Sequence, residues 1–105
     1  ILENMSYFSP PEQPEKKYYL FGKEGAQKLA KTMEVPFLGE LPLIQSIREA
    51  GDVGRPAALQ EGTNIPLALD EIARNIVSEV AKRNKDLPPT EIVRITTMAG
   101  CSPKK

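Results

Sequence analysis

Histidine is absent from this chain and cysteine occurs once, at position 101. These shortages exclude a disulfide framework and leave almost nothing for a self-contained zinc site. Together they point to a reducing compartment, with the cytoplasm as the expected location. They also remove the usual bases. No serine or cysteine has a general base beside it in sequence, so an independent hydrolase finds no support. No charge of one sign dominates either: Lys plus Arg number 14 and Asp plus Glu number 14, with the basic residues scattered. Neither nucleic acid nor an anionic membrane is therefore expected as a partner. No apolar run approaches the roughly 20 residues a membrane helix needs. Residues 1–8 lack the basic flank and the length of a signal peptide. At 105 residues the chain suffices for one small domain and not for two.

What is present starts at once. Residues 1–8 (ILENMSYF) form an apolar β-run ending in a small polar cluster, which is how a buried parallel strand delivers side chains to a ligand site. A domain rarely opens inside a core strand, so the chain is expected to be the C-terminal piece of a longer protein. Residues 9–17 (SPPEQPEKK) carry prolines among charges, which removes backbone donors and predicts an exposed loop, extending to about residue 19. Gly22 and Gly25 then precede Ala26, Leu29, Ala30 and Met33, whose spacing predicts a helix to about Glu34. Residues 36–41 (PFLGEL) suit a second buried strand.

Ile44, Ile47 and Ala50 make a brief helical stripe that Gly51 and Gly54 should end, with a loop over residues 55–63. The strongest helix signal follows. Asn64 is placed to cap a helix whose apolar face is Ile65, Leu69, Ile72, Ala73, Ile76, Val77, Val80 and Ala81, ending near Asn84. Beyond a break at residues 86–89, residues 91–98 (EIVRITTM) read as an extended segment or edge strand, and residues 100–105 as a frayed end. Residues 1–84 thus read as one α/β unit and residues 85–105 as a tail. The order strand, helix, strand, helix, helix is that of half of a doubly wound, mostly parallel sheet. Its open edges predict marginal stability or self-association.

Four blocks carry a resemblance: residues 3–8 (ENMSYF), 21–30 (FGKEGAQKLA), 35–43 (VPFLGELPL) and 47–56 (IREAGDVGRP). In this order they resemble the C-terminal half of Mrp/ApbC-type P-loop ATPases, iron–sulfur cluster carriers related to MinD and the nitrogenase iron protein. The resemblance implies a parent protein that binds and hydrolyses ATP with Mg2+, acts as a homodimer and meets iron–sulfur client or scaffold proteins. This chain contains no G-x-x-x-x-G-K-[ST] loop, so the fragment alone is expected to be inactive.

What the resemblance implies for the fragment is the adenine side of the nucleotide pocket and part of a dimer surface. Asn4 corresponds to an asparagine whose amide can both donate to and accept from the adenine edge. The plainer reading is that it satisfies backbone groups at a strand end. Pro42 and Leu43 correspond to a segment that packs beside the base, against the alternative of an ordinary strand exit. Arg48 could meet a phosphate, and Glu49 and Asp52 ribose hydroxyls, against a solvated charged helix end. Cluster-carrying members show Cys-x-x-Cys just after the strand, where residues 9–15 here offer none, so a cluster of the usual bridging kind is not expected. Cys101 reads as an unpaired thiol. Tyr18, Tyr19 and Phe21 could form a partner contact or pack on their own domain. The competing function is a freestanding partner-binding module without nucleotide chemistry.

Overall fold

The computed structural model describes residues 1–93. Strand β1 (Leu2–Phe8) runs through the proline loop into helix α1 (Gly25–Thr32). Then come β2 (Gly39–Leu43), α2 (Gln45–Asp52), a 3-10 turn at Ala57–Leu59, and α3 (Ile65–Asp86). The strands pair in parallel, with Leu2, Glu3 and Asn4 opposite Gly39, Glu40 and Leu41. Parallel strands need a crossover, and α1 supplies it. Side chains alternate across the sheet, so Glu3 and Glu40 share the face toward α1, where the Gly25 N–H donates to Glu3 Oε1 at 3.1 Å. Gly39 faces α3 and lies close to Ile72. The result is an α/β arrangement in which a small parallel sheet has a helix on each face.

The Glu3 contact completes α1, because Glu24 at its N-cap makes no side-chain capping bond and no acidic residue stands in its first turn. A carboxylate borrowed from the strand meets the positive end of the helix instead. Glu3→Ala is expected to cost about 1 kcal/mol, the usual loss for a helix N-terminal acceptor, read as a lower urea midpoint.

Several boundaries differ from expectation. β2 occupies Gly39–Leu43 in place of residues 36–41 and so contains Pro42. Proline is tolerated there because the ladder opens at that point: β1 advances from Asn4 to Phe8 while β2 advances only from Leu41 to Leu43. α2 runs through Gly51 to Asp52, and the turn closes at Gly54, whose φ of 70° is the left-handed conformation that ends helices. Asn64 stands at the N-cap of α3 without a side-chain bond, since its backbone is already helical (φ −85°, ψ 0°). The Thr63 hydroxyl accepts the Ile65 N–H at 3.4 Å instead, and Pro66 removes one donor that a cap would serve. α3 ends at Asp86, two residues past the expected point, its last turn carrying Arg83 and Lys85. Residues 91–93 carry no strand pairing among the described residues, while residues 94–98, residues 100–105 and Cys101 lie outside them.

The buried apolar residues among those described are Ala30, Ala50, Ile65 and Ile72. Two alanines and two isoleucines make a thin core. The apolar face of α3 is buried only at its start, because Ile76, Val77 and Val80 are 42%, 68% and 50% exposed. On its solvent side Asp70 pairs with Arg74 and holds that guanidinium above its ordinary value, mainly through their hydrogen bond. Such exposed pairs add little to helix stability, because water screens them.

Candidate functional site

Where the ladder opens, Met5 adopts φ 56°, a left-handed conformation uncommon for a residue other than glycine. This single residue resets the alternation of β1. Asn4 and Met5 line one cavity with Leu41 and Pro42, whereas Ser6 lines another with Glu3. The Met5 N–H donates to Asn4 Oδ1 at 3.0 Å, so the asparagine oxygen serves the strained backbone beside it. That is the local role weighed above, and it leaves the two amide N–H groups of Asn4 without a protein acceptor among the described residues.

The cavity beside Asn4 has a volume of about 190 Å³. Pro42, Leu43 and Ile44 form its floor from the end of β2, and Ile47 and Arg48 close it from the first turn of α2. Asn4, Pro42 and Leu43, expected beside a base, and Arg48, expected at a phosphate, therefore line one cavity. Glu49 does not join them. It lines a larger cavity of about 630 Å³ with Tyr7, Phe8, Pro11 and Pro14, and Pro42, Leu43 and Ile44 line both cavities.

The charges on α2 satisfy one another. Arg48 pairs with Asp52 one turn on and lies 3.5 Å from Glu49, which also accepts from Gln45 Nε2 at 2.6 Å. The side chain of Arg48 is 64% exposed, so its charge is largely hydrated. Asp52 pairs with Arg48 but does not itself line the cavity beside Asn4.

The proline loop is not a loose strap. Phe8 and Tyr18 exchange backbone hydrogen bonds of 2.9 and 2.8 Å, and two turns, closed by Gln13 N–H to Pro10 O and Lys16 N–H to Gln13 O, fold the intervening residues. Lys17 Nζ sits 4.2 Å from the centroid of Tyr7, and the Tyr19 ring lies 6.1 Å from Tyr7 at 59°. Of the aromatics considered for partner contact, Tyr19 thus packs on its own domain, while Phe21 is 72% exposed. Among the described residues no group of His, Cys, Asp and Glu side chains could hold a metal ion. No described helix is long and apolar enough to cross a membrane.

Sequence reasoning did not single out Met5 or Ser6 individually, because nothing in a methionine predicts a left-handed backbone. Ile44 and Ile47 were legible only as the stripe of a helix, and the stripe turns out to face the cavity.

The family model for ParA, described as NUBPL iron-transfer P-loop NTPase, matches residues 1–81. The Synechocystis protein named iron-sulfur cluster carrier protein is 43% identical over 82 residues, which are 77% of this chain and 23% of that protein. The Mus musculus iron-sulfur cluster transfer protein NUBPL is 42% identical over 89 residues, 84% of this chain and 26% of its own. The Arabidopsis thaliana iron-sulfur protein required for NADH dehydrogenase, mitochondrial, is 37% identical over 93 residues, 88% of this chain and 29% of its own. The chain spans about a quarter of the length of these curated relatives. A match running over most of the chain, at a parallel pair whose carboxyl end opens onto a cavity, means that it belongs to the NUBPL iron-transfer family of P-loop NTPases.

Proposed function

We propose that this chain is the base-recognising portion of an ATP-binding iron–sulfur carrier, contributing the adenine side of a nucleotide pocket that phosphate-binding residues elsewhere complete. The observation that carries the reading is the convergence of Asn4, Pro42, Leu43 and Arg48 on one small cavity at the carboxyl ends of parallel strands, the usual ligand position in open α/β sheets. The donor set suits a base. Leu41, Pro42, Leu43, Ile44 and Ile47 offer apolar surface to a ring, and the free amide N–H groups of Asn4 can donate to a ring nitrogen. Strain at Met5 fits the same role, since costly backbone conformations cluster where side chains must be aimed.

The residues present do not suit the rest of the nucleotide. No glycine-rich lysine loop occurs in the chain, so phosphate binding and hydrolysis, with the Mg2+ they use, belong to other parts of a longer protein in this reading. An iron–sulfur cluster would be cargo. The loop at residues 9–17 offers it serine, proline and carboxylate in place of thiolates, so this chain supports transfer through protein contacts and not through a cysteine pair of its own. A homodimer, contacts with iron–sulfur clients and a cytoplasmic location complete the proposal. The exposed Ile76, Val77 and Val80 favour one alternative, a partner-binding module with no nucleotide chemistry.

Asn4→Ala in the protein that carries the phosphate loop is the test. Equilibrium binding should show ATP affinity weakened by about 1 to 2 kcal/mol, the loss of a hydrogen bond to a buried base. Unchanged ATP affinity would remove Asn4 from the site, and a coding sequence without a phosphate loop upstream would favour the partner-binding module.

A further inference from the structure

The face of the sheet turned away from the base pocket holds a further, polar cavity of about 400 Å³ between the strands and the start of α1. Glu3 and Glu40 stand opposite each other in the parallel ladder and both line this cavity, Glu3 with one carboxylate oxygen already accepting the Gly25 N–H. Glu24 adds a third carboxylate and Lys23 the one ammonium on the wall. Lys23 does not neutralise them: its Nζ lies 5.5 Å from the centroid of Tyr19, and among the described residues neither it nor Glu40 enters an ion pair. Tyr19 and Phe37 supply aromatic surface.

Ser6 is the independent sign that something is missing. It is 4% exposed, it belongs to this wall, and its hydroxyl has no hydrogen-bond partner among the described residues. A buried hydroxyl without a partner costs about 1 to 3 kcal/mol, which a strand end would not retain without return. The left-handed turn at Met5 is what brings it here, since regular alternation would have put Ser6 on the other face.

We infer that this cavity receives the guanidinium of an arginine side chain presented by a partner protein segment. The negative balance calls for a cation. No three of the described carboxylates are grouped as a metal site, and the breadth of the cavity with its aromatic wall suits an organic cation. A guanidinium is planar, spans adjacent carboxylates with parallel N–H donors, and stacks on aromatic rings, so Glu3, Glu40 and Tyr19 or Phe37 suit it at once. One further N–H would meet the Ser6 oxygen. The cavity shares no lining residue with the base pocket, so the inference stands or falls separately from nucleotide binding.

The test is a titration of the chain with an acetylated, amidated Gly-Arg-Gly peptide, followed by amide NMR. Its citrulline counterpart, which keeps the shape and loses the charge, its lysine counterpart and free L-arginine serve as the other arms. The arginine peptide should shift the Ser6 and Glu40 amides, and Glu40→Gln, a change at an exposed position, should weaken it about three- to fivefold. Ser6→Ala should also weaken it while leaving the unliganded chain as stable or more so, the signature of a hydroxyl that waits for a ligand. Equal binding of the citrulline peptide, no effect of Glu40→Gln, or a less stable Ser6→Ala chain would overturn the site. Equal binding of the lysine peptide would overturn the guanidinium assignment, and tighter binding of free arginine would overturn the partner segment as its source.

Discussion

Gly39→Ala is expected to destabilise the fold by about 3 kcal/mol, because two independent costs fall on one methyl group. Gly39 holds φ at +133°, a region that residues with a Cβ rarely enter. A Cβ built there would also lie 3.1 Å from Ile72 Cγ1, tighter than ordinary contact. Neither neighbour can yield easily. Gly39 is paired with Leu2 in the ladder, and Ile72 is 7% exposed and held on a helix whose Asn75 Nδ2 donates to the Leu38 carbonyl at 3.0 Å. Against a total stability of roughly 5 to 15 kcal/mol for ordinary domains, this loss should appear as a large drop in urea midpoint at unchanged slope. A midpoint within error of the parent protein would mean that the strand entry relaxes.

Ile72→Ala should cost about 2 to 4 kcal/mol, at the lower end if α3 settles toward the sheet. Few residues share the burden: of the buried apolar side chains among those described, only Ile65 and Ile72 exceed alanine in size. The informative experiment is the double variant. Ile72→Ala removes the atoms that a Cβ at position 39 would strike, so the steric part of the Gly39→Ala cost should vanish in combination while the conformational part persists. The two losses should then sum to about 1 to 2 kcal/mol more than the double variant shows. Strict additivity would put the entire cost of Gly39→Ala in its backbone.

How much of this could be read from the residues follows from what each element depends on. β1, α1 and α3 rest on local periodicity, and the spacing of Leu29 and Ala30, or of Ile65, Leu69 and Ile72, announces them without further information. β2 lies further along the chain than its apolar run predicts, because proline ordinarily stops a strand, whereas Pro42 sits where the ladder has already parted. The apolar face of α3 was legible as a face, but periodicity does not say what covers it, and Ile76 to Val80 proved largely uncovered. The motif blocks point to Asn4, Pro42, Leu43 and Arg48, and the structure brings all four to one cavity. Glu49 was included for its place in a motif, yet one helical position separates it from Arg48, and that step turns it to another cavity. Asn64 shows the reverse case: the residue type suits a cap, and the backbone angle decides against it.

The parallel pairing of β1 with β2 has a consequence in time. Leu2 cannot meet Gly39 until all of α1 and the proline loop lie between them, so the ladder waits on a long closure, while α3 can coil within about a microsecond from its own sequence. During synthesis the first strand therefore emerges well before its partner, and its apolar residues wait unpaired until β2 follows. The Phe8–Tyr18 bridge spans only a short loop and can close in that interval. It gives the waiting strand an early local partner, and the prolines that hold its turns keep the loop from becoming a competing strand.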